Sequence, residues 1–184
     1  LGRISPRKEL DTLVSAADLL VNRWGRRDGH FVVAGGALAP EDRTYFEHIK
    51  GRVLESDLEP FFEFTGGIPH SGTVSHLQRS DYFVNMHVEG GLGKAVLEAM
   101  SCGLPALVST PTYYRRFPEY AARFVFAPRD HEDLARKMAG VLDMSPSERG
   151  RVGCDLRDWV VSEHDVRSQM SRIAELFRSV RGGP

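Results

Sequence analysis

The amino-acid sequence predicts an α/β fold: a parallel sheet with helices on both faces, followed by a helical extension. Three observations point there. Short apolar runs ending in glycine recur through the first two thirds of the chain, stretches of helical periodicity separate them, and the last third is helical throughout. Strands that alternate with helices join by right-handed crossovers, so they lie parallel and are covered on both sides.

The first helix is expected from Arg7 to about Trp24, with Leu10, Leu13, Val14, Ala17, Leu20, Val21 and Trp24 repeating on one face. Gly25 to Gly29 end it. The run HFVVAGG reads as a buried parallel strand that opens into a loop. Next come a helix from Pro40 to about Ser56, the strand FFEFTGG, a short helix from Ser71 to Arg79 and the strand DYFVNMH. Gly93 to Ser101 reads as a helix, PALVS as a fourth strand, TPTYYRRFPEY as a loop and RFVFA as a short strand. His131 to Leu142, a capped segment starting near Ser145 or Ser147, and Glu163 to Val180 complete the helices. Residues 1–142 are expected to form the sheet domain and residues 143–184 a helical extension. The arrangement is Rossmann-like. In such sheets ligands bind beyond the carboxyl ends of the strands, and those ends carry Gly2-Arg3, Gly35-Gly36, Gly66-Gly67 and Glu89-Gly90-Gly91. Turn geometry accounts for any one of these glycine sites, whereas four on one edge exceed what turns require.

Composition narrows the function classes. The chain has 184 residues, enough to close one sizeable core. Its 24 basic and 25 acidic residues nearly cancel, which argues against a sequence-independent grip on nucleic acid or anionic lipid. Cys102 and Cys154 are the only cysteines and form no CxxC, so neither a disulfide framework nor a structural zinc site is expected. The compartment expected is cytoplasmic. No run approaches the ~18 apolar residues of a membrane span. The opening at Leu1, without a lead-in strand, suggests a piece of a longer protein.

The chemistry concentrates in HVEGGLGKAVLEAMSCGLPALVS, residues 87 to 109. A glycine loop feeding a helix brings unpaired N–H groups and a partial positive charge against a phosphate or a sugar hydroxyl. Glu98, a turn and a half into that helix, can accept hydrogen bonds from two vicinal hydroxyls. Arg3 and Lys8 flank the start of the first helix and can pair with two phosphates. A diol-bearing diphosphate suits this set, and a nucleotide sugar is one.

These motifs resemble those of a known family. GRISPRKELDTLVSA is similar to its "GR … EKG" opening, FVVAGG to its "VGDG" strand, FTGGI to its "F-x-G-x-V" segment, and GLGKAVLEAMSCGLPALVST to its "GFG … LEAMACGxPVIAT" signature. The family is the retaining glycosyltransferases of the GT-B fold, family 4. The chain resembles their C-terminal, donor-binding domain from Gly2 to about Leu142, with LEAMSCGLP the most specific stretch.

The resemblance implies transfer of a hexose from a nucleoside diphosphate sugar, with UDP or GDP as the diphosphate, without a metal or other cofactor. It makes Arg3 and Lys8, next to Gly2, the diphosphate clamp. Glu98 becomes the ribose acceptor, and the backbone of Gly91, Leu92, Gly93 and Lys94 a donor set for phosphate and sugar. The base would lie against Gly67 and Ile68. Glu89 stands for the carboxylate that contacts the transferred sugar, and Arg3, Lys8 and Glu89 are the expected catalytic set. The acceptor site belongs to an N-terminal domain, which alone would carry any membrane association, and the helices of residues 143–184 are expected to pack on the donor domain or to cross to that one. The chain by itself is then expected to bind donor, to turn over little, and to self-associate through an apolar face left exposed.

Two departures stand out. Glu89 and Glu98 have eight residues between them, one more than the family pattern, and an ungapped match puts Gly90 at the first carboxylate's position. Either the loop carries an extra residue, which glycines absorb without strain, or the sugar contact has been lost or rebuilt. PTYYRRFPE replaces the usual glycine pair downstream, so Tyr113 and Tyr114 either shape the sugar pocket or cover the sheet edge. Plain structural readings stand beside these: Arg3 and Lys8 as solvated charge, Cys102 as a small buried hydrophobe, His70 and His76 as surface residues. His87 and Glu89 begin a zinc deaminase signature whose cysteines are absent. A non-catalytic sugar-nucleotide module and half of a sugar-nucleotide epimerase are the alternative functions.

Overall fold

The computed structural model of the chain describes residues 1–87 and 93–181. Four parallel strands form the centre: β1 Phe31–Ala34, β2 Phe62–Gly66, β3 Phe83–Asn85 and β4 Ala106–Val108. They pair as two separate ladders, β1 with β2 and β3 with β4, in place of the single sheet expected. Phe31 stacks on Phe62 across the first ladder with ring centroids 4.9 Å apart, a cross-strand pair that holds its register.

The helices fall where periodicity placed them: α1 Leu10–Asp18, α2 Pro40–Glu55, α3 His70–Gln78, α4 Lys94–Ser101, α6 His131–Leu142, α7 Pro146–His164 and α8 Val166–Arg181. Ser145 caps α7, its hydroxyl accepting from the Glu148 amide at 3.2 Å, and Pro146 sits at the first helical position. Asp130 caps α6 in the same way, accepting from Asp133 at 2.8 Å.

Three local readings are corrected. The first helix does not keep one face to Trp24, because it widens into a π turn at Leu19–Arg23 and the Trp24 amide bonds to Leu19. The wider turn rotates Trp24 off the apolar stripe, and it is 44% exposed. The stretch after Thr110 is not a loop and a strand. It forms a 3-10 turn at Pro111–Tyr114 and then α5, Pro118–Phe124, started by Pro118. Only Val125 keeps strand geometry, in a single parallel bridge to Val108.

The core runs from α1 through the strands to α6 and α7, with Leu20, Ile49, Met100, Leu107, Phe124, Leu134 and Leu156 fully buried. Helix α7 packs on α4, and the two meet at glycines: a Cβ on Gly153 would lie 2.1 Å from the carbonyl oxygen of Gly103. An Arg157 guanidinium N–H also donates to the Ser101 carbonyl at the end of α4. Helix α8 differs, since Val166, Met170, Ile173, Leu176 and Phe177 on it are exposed. No described helix is long and apolar enough to cross a membrane.

Candidate donor-binding site

The first residues run alongside β1. The Gly2 amide donates to Ala34 O at 2.9 Å and the Ile4 amide to Gly36 O at 3.0 Å, after which Ile4 and Ser5 are buried and Pro6–Lys8 turn as a 3-10 helix. Glu9 ends that turn in the left-handed region at φ 48°, and its carboxylate accepts from Arg129 Nε at 2.9 Å. This turn sets the spacing of Arg3 and Lys8. Arg3 is exposed and its Nε lies 3.7 Å from the buried Asp42, which also accepts from the Ala39 amide at 3.4 Å to cap α2. Asp42 thereby aims a cation that is still open to a ligand.

Gly2, Arg3, Lys8, His87, Gly93 and Lys94 share the wall of a cavity of about 540 Å³. The cation pair and the start of α4 therefore line one cavity. Gly67, Ile68 and Glu98 do not line that cavity. Gly67 follows β2 and abuts the β1 loop, the Cβ direction of Gly36 pointing to its amide at 3.7 Å, and Ile68 beside it is half-buried. Glu98 is half-buried on α4, and among the described residues its carboxylate makes no hydrogen bond or ion pair. Glu89, Gly91 and Leu92 lie outside the described residues.

The α4 N-terminus departs from expectation in one respect. The Gly93 amide already donates to the Tyr113 hydroxyl at 2.5 Å, so this amide is engaged by the protein itself. The helix's own bonds begin with the Val96 amide on Gly93 O at 3.1 Å, which leaves the Lys94 and Ala95 amides at the helix start for an incoming anion. Tyr114 covers the sheet edge. Its hydroxyl donates to Ala106 O at 2.8 Å and accepts from Ala106 N at 3.2 Å, and burial pushes its pKa up. The two tyrosines left open by the sequence thus divide the roles: Tyr113 braces the glycine loop's exit and Tyr114 closes β4.

His87, weighed in the sequence only as part of a metal signature, is a strut. Its Nδ1 lies 3.1 Å from the Arg7 carbonyl, which requires the proton on Nδ1, and the Ser109 hydroxyl donates to its main-chain oxygen at 2.9 Å. It ties the end of β3 to the turn carrying Lys8. No sequence signal marks a bond spanning so many residues. Among the described residues no group of three or more histidine, cysteine, aspartate or glutamate side chains is placed to hold a metal ion.

Comparison with known proteins fits this fold. The family profile described as glycosyl transferases group 1 matches residues 1–153. Mannosylfructose-phosphate synthase of Agrobacterium fabrum is 28% identical over 153 residues, covering 83% of this chain and 33% of its own. Sucrose-phosphate synthase of Thermosynechococcus elongatus superposes with TM-score 0.84 at 23% identity, over 98% of this chain and 44% of that one. Anabaena HepE in complex with UDP-glucose superposes with TM-score 0.83 at 19% identity, over 97% and 48%. The chain spans about a third of the length of the curated relatives it matches. It belongs to the glycosyl transferases group 1 family, with the fold of a C-terminal GT-B glycosyltransferase domain.

Proposed function

We propose that this chain is the donor-binding half of a retaining glycosyltransferase that moves a hexose from a nucleoside diphosphate sugar to an acceptor. One observation carries the reading: Arg3, Lys8 and the first residues of α4 line one cavity, and in α/β sheets ligands bind beyond the carboxyl ends of the strands. Two cations and a helix start on the wall of one cavity suit a diphosphate. Glu98, half-buried and without a partner among the described residues, suits a pair of ribose hydroxyls. As the glycosidic bond breaks, negative charge grows on the leaving diphosphate. Arg3, Lys8 and the α4 amides would stabilise it without a metal. HepE, whose fold this is, binds UDP and UDP-glucose, which favours a uridine donor here.

On this reading residues 1–142 hold the donor and residues 143–184 brace it, with a second domain of the same protein binding the acceptor. Glu89 serves the transferred sugar, the compartment is cytoplasmic, and turnover requires both halves.

Calorimetric titration with UDP, GDP, UDP-glucose, UDP-N-acetylglucosamine and GDP-mannose tests the site. Saturable binding of one of them, weakened about tenfold or more by Arg3→Ala and by Glu98→Ala, is the expected result; each good charge-assisted hydrogen bond is worth ~1.5–3 kcal/mol. Tight binding indifferent to both substitutions would remove the site from these residues.

A further inference from the structure

A second cavity, of about 370 Å³, shares no lining residue with the first. Ser15 and Asp18 of α1, Leu19 and Arg23 of the π turn, Arg52 and Ser56 at the end of α2, and His131 at the start of α6 line it. Small-molecule sites of ~300–1,000 Å³ are mostly apolar. Here only Leu19 is apolar, so the wall suits an ion and not a hydrophobic ligand.

The π turn explains how Arg23 comes to be there. In an unbroken α-helix, at 3.6 residues per turn, Arg23 would lie roughly 80° around the axis from Ser15. The wider turn, in which the Trp24 amide bonds to Leu19 O, sets Arg23 back toward the Ser15 face. Such turns are frequent at functional sites. Asn22 fixes this one: its Nδ2 donates to Ser56 O at 2.8 Å and to Asp18 Oδ1 at 2.7 Å. The second bond engages the carboxylate on the cavity wall.

Arg52 is held by α1. Its Nη1 donates to Asp11 Oδ1 at 3.2 Å and to Asp11 O at 3.4 Å, and its Nη2 to Ser15 Oγ at 3.0 Å. A guanidinium has five N–H donors, so these bonds leave at least two unused. Ser15 accepts from Arg52, so its own proton is available to a ligand. Arg23 and His131 are exposed, and among the described residues their side chains make no hydrogen bond or ion pair. Two guanidinium groups, an imidazole and a serine hydroxyl therefore line one polar cavity. A carboxylate ligand would offer two oxygens in one plane. A phosphate monoester offers three strong acceptors in a tetrahedron and close to two charges at neutral pH, which suits donors arriving from three helices.

We infer that this cavity binds the phosphate dianion of a small molecule, held by Arg23, Arg52 and His131 with Ser15 donating. This rests on the cluster between α1, α2 and α6, and not on the donor-site reading.

The test titrates isotope-labelled protein with inorganic phosphate, with glycerol 3-phosphate and, as the uncharged control, with glycerol. Amide shifts locate the ligand and calorimetry gives its affinity; Arg23→Gln and Arg3→Ala are titrated in parallel. The expected result is saturable shifts at Ser15, Arg23, Ser56 and His131 with a phosphate and none with glycerol. Binding should weaken at least tenfold in Arg23→Gln and hold in Arg3→Ala. Because Arg23 bonds to no other described residue, Arg23→Gln should keep its Tm. The tighter of the two phosphates tells whether the dianion belongs to an organic monoester or to free phosphate. Saturation by neither, or binding that Arg23→Gln leaves intact, would overturn the inference. So would shifts confined to Lys94 and its neighbours and abolished by Arg3→Ala, which would assign the phosphate to the donor cavity.

Discussion

The carbonyl oxygen of Gly2 lies 1.7 Å from the point where a Cβ on Gly35 would sit. The entry segment and the β1 loop are therefore packed backbone against backbone, and the glycine is there for space.

Gly35→Ala should accordingly destabilise the protein by about 2–3 kcal/mol, since neither backbone can withdraw without breaking the Gly2–Ala34 hydrogen bond. For a chain of this length that lowers Tm by roughly 4–12 °C. Gly51→Ala, in mid-α2 with nothing within 4 Å of its Cβ, should instead stabilise by about 0.5–1 kcal/mol. Calorimetry of the pair separates lost space from the general effect of a glycine.

Gly153→Ala should loosen α7 from α4. Its Cβ would meet Gly103 O at 2.1 Å, and the expected cost is about 1–3 kcal/mol, with faster amide exchange along α7 than along β1. Uniform exchange changes across both elements would argue against α7 as a separately docked helix.

Tyr114→Phe removes the hydroxyl that serves both polar groups of the buried Ala106 and should cost about 1–3 kcal/mol. Nucleotide affinity should hold, because Tyr114 faces β4. A comparable loss of affinity would mean that β4 and the donor loop are coupled.

Stability of the chain that starts at Leu1 should rise between pH 6 and 8. Burial, with Lys8 adding to it, lowers the amine from 8.0 to about 6, so across that window the unfolded chain binds the extra proton. The burden is fully present below pH 6 and gone above pH 8, worth on the order of 3 kcal/mol for two pH units. Urea midpoints across this range measure it, and acetylation of the amine should flatten the dependence.

Much of this was legible in order along the chain. The helices α1, α2, α4, α6 and α7 were readable because each repeats apolar residues on one face and carries a local cap or breaker, such as Ser145 or Gly25. Arg3, Lys8 and Glu98 were legible as residue types beside a glycine loop. Where local pattern was ambiguous it failed: Arg123 and Phe124 alternate like a strand, but Pro118 starts a helix that carries them.

The sequence by itself determined the α/β class, the position of its glycine-ended strands and the family, because these follow from short-range periodicity and contiguous motifs. Only the tertiary structure decided that Tyr113 occupies the Gly93 amide, that His87 ties β3 to the Lys8 turn, and that β1 and β3 line one cavity. Each of these is a contact between residues far apart in the chain, and no local propensity encodes which distant group a backbone amide will meet.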